Sequence, residues 1–142
     1  MNSGLKSTEL SAGMSLPILT KLVTQRQINL YAEASRDFNP IHIDAEFARK
    51  TSLGGTVAHG MLILSYISEL MVSNFGKGWL TSGRLSVRFK APARPGDTIT
   101  VSGRITEVQQ QDGFASIHCD VLCHNQHNEA VIIGETKVSV PA

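Results

Sequence analysis

The chain carries almost no net charge, because thirteen Lys and Arg stand against twelve Asp and Glu for a formal charge of +1. No global field pulls it onto nucleic acid, so an anionic ligand has to be caught by a local patch. Cysteine is scarce, with only Cys119 and Cys123 present. They fall in a stretch that alternates like a strand, where four residues span about 13 Å. A disulfide needs Cα atoms within roughly 7 Å, so the two are expected to stay unpaired as packing residues, which suits a reducing compartment. Long apolar runs are missing as well. The most hydrophobic stretch, Met61 to Val72, is interrupted by Ser65, Ser68 and Glu69, and it is far shorter than the roughly 20 apolar residues that span a bilayer. Met1 to Met14 holds Lys6 and Glu9 but no continuous apolar core, which argues against a signal peptide. There is no dinucleotide-binding glycine fingerprint and no Cys/His set with structural zinc spacing, so His118, His124 and His127 read as strand or turn residues. Together these absences lead us to expect a soluble cytoplasmic protein with no membrane or nucleic-acid partner.

What is present is ordinary globular material. A chain of 142 residues with 42% hydrophobic content fits one domain, and at that size roughly 68–70% of the unfolded surface can be buried. Residues 1 to about 14, rich in Ser and Gly, are expected to form a loose leader, with 15–142 as a single domain. Leu16 to Val23 is compatible with a short strand. Thr24 then offers an N-cap for a helix that should end near Arg36, because Asn39-Pro40 is turn chemistry and the residue before proline is pushed out of the helical region. Asp44 opens a short helical segment over Ala45 to Lys50. His59 to about Asn74 contains no proline and only one early glycine, and it predicts a long helix whose apolar residues on nearly every side demand burial nearly all round. Leu80 to Phe89, Thr98 to Val108, Phe114 to His124 and Ala130 to Val140 alternate and are rich in Val, Ile and Thr. They predict four consecutive strands of an antiparallel meander. One buried helix followed by long strands gives an α+β domain in which a curled sheet wraps a central helix.

Candidate chemistry gathers in the middle of the chain. Asp37-Phe38-Asn39-Pro40-Ile41-His42 separates a carboxylate from an imidazole by five positions, and the Asn39-Pro40 turn can fold both into one cleft. On the residues alone the plainer alternative stands beside this one, with Asp37 terminating a helix and His42 an ordinary loop histidine. Gly60 opens the long helix, where backbone N–H groups lack internal partners and carry the positive end of the dipole. It can offer its N–H to an oxygen that becomes negative, or simply permit tight packing with His59 as the cap. The Ser65 hydroxyl must bond either one turn back along its helix or into a neighbouring cleft.

Read together, YAEASRDFNPIHIDAEFARKTSLGGTVAHGMLILSYISELM resembles the MaoC-like, (R)-specific enoyl-CoA hydratase family. The specific part is Asp-Phe-Asn-Pro-Ile-His followed by Ala-His-Gly-Met-Leu, with a weaker likeness through RLSVRFKAPARPGDTITVSGRI. The resemblance implies the hot-dog fold and a hydro-lyase acting on thioesters of fatty-acid metabolism. Asp37 and His42 would hold and activate water, Gly60 would contact the thioester oxygen, Ser65 would support the aspartate, and Asn39 is the asparagine of the motif. Arg36 departs from the pattern, since many members carry glycine there. The implied chemistry needs a base for water, an acid for the α-carbon and a donor for the enolate oxygen. It calls for no metal or other cofactor, with coenzyme A or acyl carrier protein present only as part of the substrate.

Arg84, Arg88, Lys90 and Arg94 are candidates to meet coenzyme A phosphates or an acidic carrier, a solvated strand face being the plainer account. The alternatives inside the family's reach are a 3-hydroxyacyl dehydratase acting on acyl carrier protein, a hot-dog thioesterase and a non-catalytic partner subunit. Exposed sheet edges, and the family's habit of joining two sheets, lead us to expect a homodimer or a higher assembly.

Overall fold

The computed structural model describes residues 7–142. Five strands form one antiparallel sheet: β1 (Leu19–Leu22), β2 (Arg84–Phe89), β3 (Thr98–Gln111), β4 (Phe114–His124) and β5 (Ala130–Pro141). The spatial order is β1-β3-β4-β5-β2, so β1 and β2 are its edges. The last three strands do form a meander, but the expected four-strand meander is corrected at β2, which pairs with β5 rather than with its sequence neighbour β3. Pro92 and Pro95 lie in the segment between β2 and β3, where proline's missing N–H disfavours a direct hairpin. The chain crosses there to the far side of the sheet.

The helices are α1 (Gln25–Ser35), α2 (Pro40–Ile43), α3 (Ala45–Arg49), α4 (Gly60–Phe75) and α5 (Lys77–Ser82). Thr24 caps α1 by accepting the N–H of Gln27. Asp44 caps α3 through Phe47 in the same way. The strand expected from Leu80 begins only at Arg84, because Lys77–Ser82 is helical. Trp79 pins that turn by burying its ring and donating from Nε1 to Ser68 Oγ at 3.0 Å.

Helix α4 packs on β1, β3, β4 and β5, and Ile63, Ile67, Leu70, Met71 and Phe75 are no more than 1% exposed. Fully burying each such side chain contributes roughly 1.5–3 kcal/mol, so this one helix face organises the core. Burial all round is not what the fold provides. Met61, Ser65, Glu69 and Ser73, spaced at i+4, remain exposed on one side of α4, as a helix lying on one sheet requires.

The leader expectation changes from Ser7 onward, with residues 1–6 lying outside the described part. Leu10 and Leu16 are buried, and Gly13 N–H donates to the Ile105 carbonyl at 2.7 Å. The segment is therefore laid along β3 rather than loose. Cys119 and Cys123 are both unpaired and buried on the inner face of β4. Burial pushes their thiols up to about 11 and about 12 respectively.

Candidate active site

Arg36 ends α1 in the left-handed conformation, with φ 64° and ψ 22°. That conformation favours glycine, because a Cβ crowds the backbone there. The reversal delivers Asp37 to the start of a tight turn. Its Oδ1 accepts the Asn39 N–H at 3.2 Å, and its own N–H donates to Ser35 Oγ at 3.3 Å. Asn39 then caps α2 by accepting the Ile41 N–H at 3.2 Å, with Pro40 at the first helical position, where its missing N–H does no harm. The expected turn is therefore a one-turn helix, and that turn carries His42 back to Asp37.

His42 Nε2 lies 3.9 Å from Asp37 Oδ2. The other ring nitrogen is fixed. Nδ1 is 2.8 Å from the Val57 carbonyl, which can only accept, so Nδ1 carries a hydrogen and, in the neutral ring, Nε2 presents its lone pair to the carboxylate side. Gln25 holds the backbone behind the ring, donating to the His42 carbonyl at 2.7 Å while accepting the Thr56 hydroxyl at 2.7 Å. The imidazole is buried, whereas the Asp37 side chain is 52% exposed. The ring is thus the inner and the carboxylate the outer member of the pair.

Residues Val57 to Gly60 link this pair to the segment between β2 and β3. Val57 receives the His42 hydrogen bond, and Ala58 N–H donates to the Ala93 carbonyl at 2.7 Å. His59 stacks on His42 with ring centroids 3.8 Å apart. Gly60 is the first residue of α4, so its N–H has no partner inside the helix. It borders a cavity of about 350 Å³ lined by Ile63, Phe89, Lys90 and Val131 among others. The cavity wall includes Gly60 but neither Asp37 nor His42.

The remaining candidates divide. Lys90 lines the Gly60 cavity, and the Arg94 guanidinium lies by Gly55, 3.8 Å from where a Cβ would stand on that residue. Arg84 and Arg88 alternate with Leu85 and Val87, which pack on the core, so both face outward beside Glu135. The four cations do not form one patch. Ser65 donates to the Leu62 carbonyl of its own helix at 2.5 Å and makes no hydrogen bond with Asp37. His59, read above only as a cap, makes no side-chain capping bond. Its spacing in the sequence held no signal of contact with Asp37, because the two lie on different elements. Asp37, His42 and His59 each offer a ligand atom within 4.8 Å of one another, but one nitrogen of each histidine is already bonded to a carbonyl.

The sequence profile of the MaoC like domain matches residues 11–127. The chain belongs to the MaoC-like domain family. An (R)-specific enoyl-CoA hydratase of Rhodospirillum rubrum is 34% identical over 127 residues, covering 87% of this chain and 84% of that protein. A mitochondrial 3-hydroxyacyl-[acyl-carrier-protein] dehydratase of Arabidopsis thaliana is 30% identical over 123 residues, covering 86% and 73%. The solved structure of an unliganded R-hydratase from Pseudomonas aeruginosa superimposes with a TM-score of 0.85 at 27% identity, covering 97% of this chain and 86% of that one. The sheet and helix of this MaoC-like chain thus take the hot-dog arrangement of the R-hydratases, with the sheet left open at both edges.

Proposed function

We propose that this MaoC-like protein catalyses the (R)-specific hydration of trans-2-enoyl-CoA to (R)-3-hydroxyacyl-CoA and the reverse dehydration, with Asp37 and His42 activating water. The observation that carries the reading is the 3.9 Å separation of Oδ2 from Nε2. It is too long for a direct hydrogen bond, but one water oxygen can sit about 2.8 Å from both atoms. An O–H bond of that water breaks as its oxygen bonds to the β-carbon, while the electrons of the double bond move toward the thioester oxygen. The Gly60 N–H meets that oxygen, and a proton returned to the α-carbon completes the addition. The dyad accepts the proton from water and returns a proton to the α-carbon, so Asp37 and His42 end the addition in the state in which they began it. No metal or organic cofactor enters this scheme.

The protein acts as a homodimer in this reading. Phe38, Phe47, Met61 and Phe89 are each about half exposed on the elements around the site, and the edge strand β2 is unpaired on its outer side. A second copy would cover such a surface. No helix among the described residues is long and apolar enough to cross a membrane, and a cytoplasmic location is part of the same proposal.

A second carrier, acyl carrier protein, is supported by the Arabidopsis relative. Turnover is followed as loss of enoyl absorbance with enoyl-CoA and with enoyl-acyl carrier protein, and the product is resolved chirally. The reading expects the thioester to survive and the (R) alcohol to predominate. Release of free thiol would indicate a thioesterase, a predominant (S) product would reject the stereochemical assignment, and no turnover of either thioester would leave a non-catalytic subunit.

A further inference from the structure

His59 touches both halves of the proposed dyad. Its Nε2 lies 3.0 Å from the backbone carbonyl oxygen of Asp37. A carbonyl only accepts, so Nε2 carries a hydrogen and, in the neutral ring, Nδ1 is left bare. That nitrogen is buried and has no partner among the described residues, while the whole residue is 3% exposed. Its ring lies against His42, with centroids 3.8 Å apart and planes inclined by 24°, and Tyr31 packs on it at 4.8 Å. A buried acceptor with no partner costs stability, so an apolar ring would fill this space at lower cost. The imidazole earns its place through what its N–H and its face hold. Asp37 needs such a hold, because its side chain is half exposed and it follows Arg36 in a left-handed turn.

We infer that His59 is a positioning residue, which ties the Asp37 backbone through Nε2–H and backs the His42 ring by stacking, and so sets the carboxylate-to-imidazole distance. The inference rests on the Asp37–His42 reading above. His59→Phe keeps a flat ring on His42 but removes the donor. His59→Gln keeps an N–H donor but removes the ring.

The test measures kcat and KM for both variants, for Asp37→Asn, and for His59→Phe combined with Asp37→Asn. Misplacement of a reacting group by about 1 Å can cost about 10²-fold, so each His59 variant should lose roughly 10- to 100-fold in kcat with KM changed less than about threefold. In the Asp37→Asn background the His59→Phe change should matter less than about threefold, since there is no longer a carboxylate to position. If Asp37→Asn is crippled but the His59 variants keep near-normal kcat, or their losses multiply in full with that of Asp37→Asn, this inference is wrong and the dyad stands. If Asp37→Asn itself stays active, the dyad reading fails and takes this inference with it. Should neither His59 variant fold, nitrogen NMR of the wild-type imidazoles decides. Hydrogen on Nε2 of His59 supports the inference, and hydrogen on Nδ1 overturns it.

Discussion

Adding a single methyl group at Gly60 separates the catalytic reading of that residue from a packing one. A Cβ built on Gly60 stands 3.0 Å from Cε1, 3.2 Å from Cδ1 and 3.5 Å from Cζ of Phe89. These are tight contacts, but the ring is 54% exposed and can give by a few tenths of an ångström. Gly60 is the first residue of α4, a position where alanine is well tolerated. The fold should therefore change by less than about 1 kcal/mol. Activity should respond differently. Removing one donor to a developing oxyanion costs about 10²- to 10³-fold, and Gly60→Ala keeps the N–H while holding the oxygen away from it, so kcat should fall about 10- to 100-fold, or ~1.4–2.7 kcal/mol. The assay is loss of enoyl absorbance at saturating substrate, with thermal unfolding on the same samples. Adding Phe89→Ala relieves the contact with the ring but leaves the methyl group over the N–H, so the double variant should stay slow. A folded Gly60→Ala protein with more than about a third of normal kcat would refute the assignment of Gly60 to the enolate oxygen.

Other expectations follow from the same contacts. Arg36→Gly should raise stability by about 0.5–1 kcal/mol, because φ 64° strains any side chain, and a fall in melting temperature would contradict that strain. Cys119 and Cys123 have thiols raised from 9.0 to about 11 and about 12. Their folded values lie above the unfolded one, so their contribution is fully present below about pH 9 and is lost as pH rises through the folded values. Chemical denaturation across alkaline pH should show that loss, and a thiol reagent should label both only after unfolding. Sedimentation at micromolar concentration should give twice the mass of the 15.4 kDa chain. A fully active species of single-chain mass would remove the dimer.

The elements that depend on neighbours in sequence were legible, and those that depend on distant partners were not. Thr24 and Asp44 announce their helices because capping is a local bond. Alternation in 98–140 announces three strands, since side-chain period reports one buried face. The placement of β2 beside β5 has no such local signature, and neither does the helical turn at Lys77–Ser82, whose last residues, Leu80 to Ser82, read as the start of a strand until Trp79 is seen to reach Ser68. At the site, the turn that brings Asp37 to His42 was written in Asn39 and Pro40. The Val57 carbonyl that fixes the imidazole and the His59 contact to Asp37 span 15 and 22 positions, and nothing in a single sequence records such pairings. Family likeness supplied the residues in common, and geometry supplied the atoms that hold them.

Replacement of Asp37 by Asn, with His42→Ala and the double variant alongside it, bears most directly on the central claim. Asn keeps the size and much of the hydrogen bonding of Asp37, including acceptance of the Asn39 N–H, but it removes the charge and the basicity. General acid–base groups contribute about 10²- to 10⁴-fold, so each single variant should lose turnover on that scale while remaining folded, and the double variant should be little worse than the poorer single. Retention of more than roughly a tenth of normal turnover by Asp37→Asn, a loss under about 1.4 kcal/mol, would contradict the mechanism.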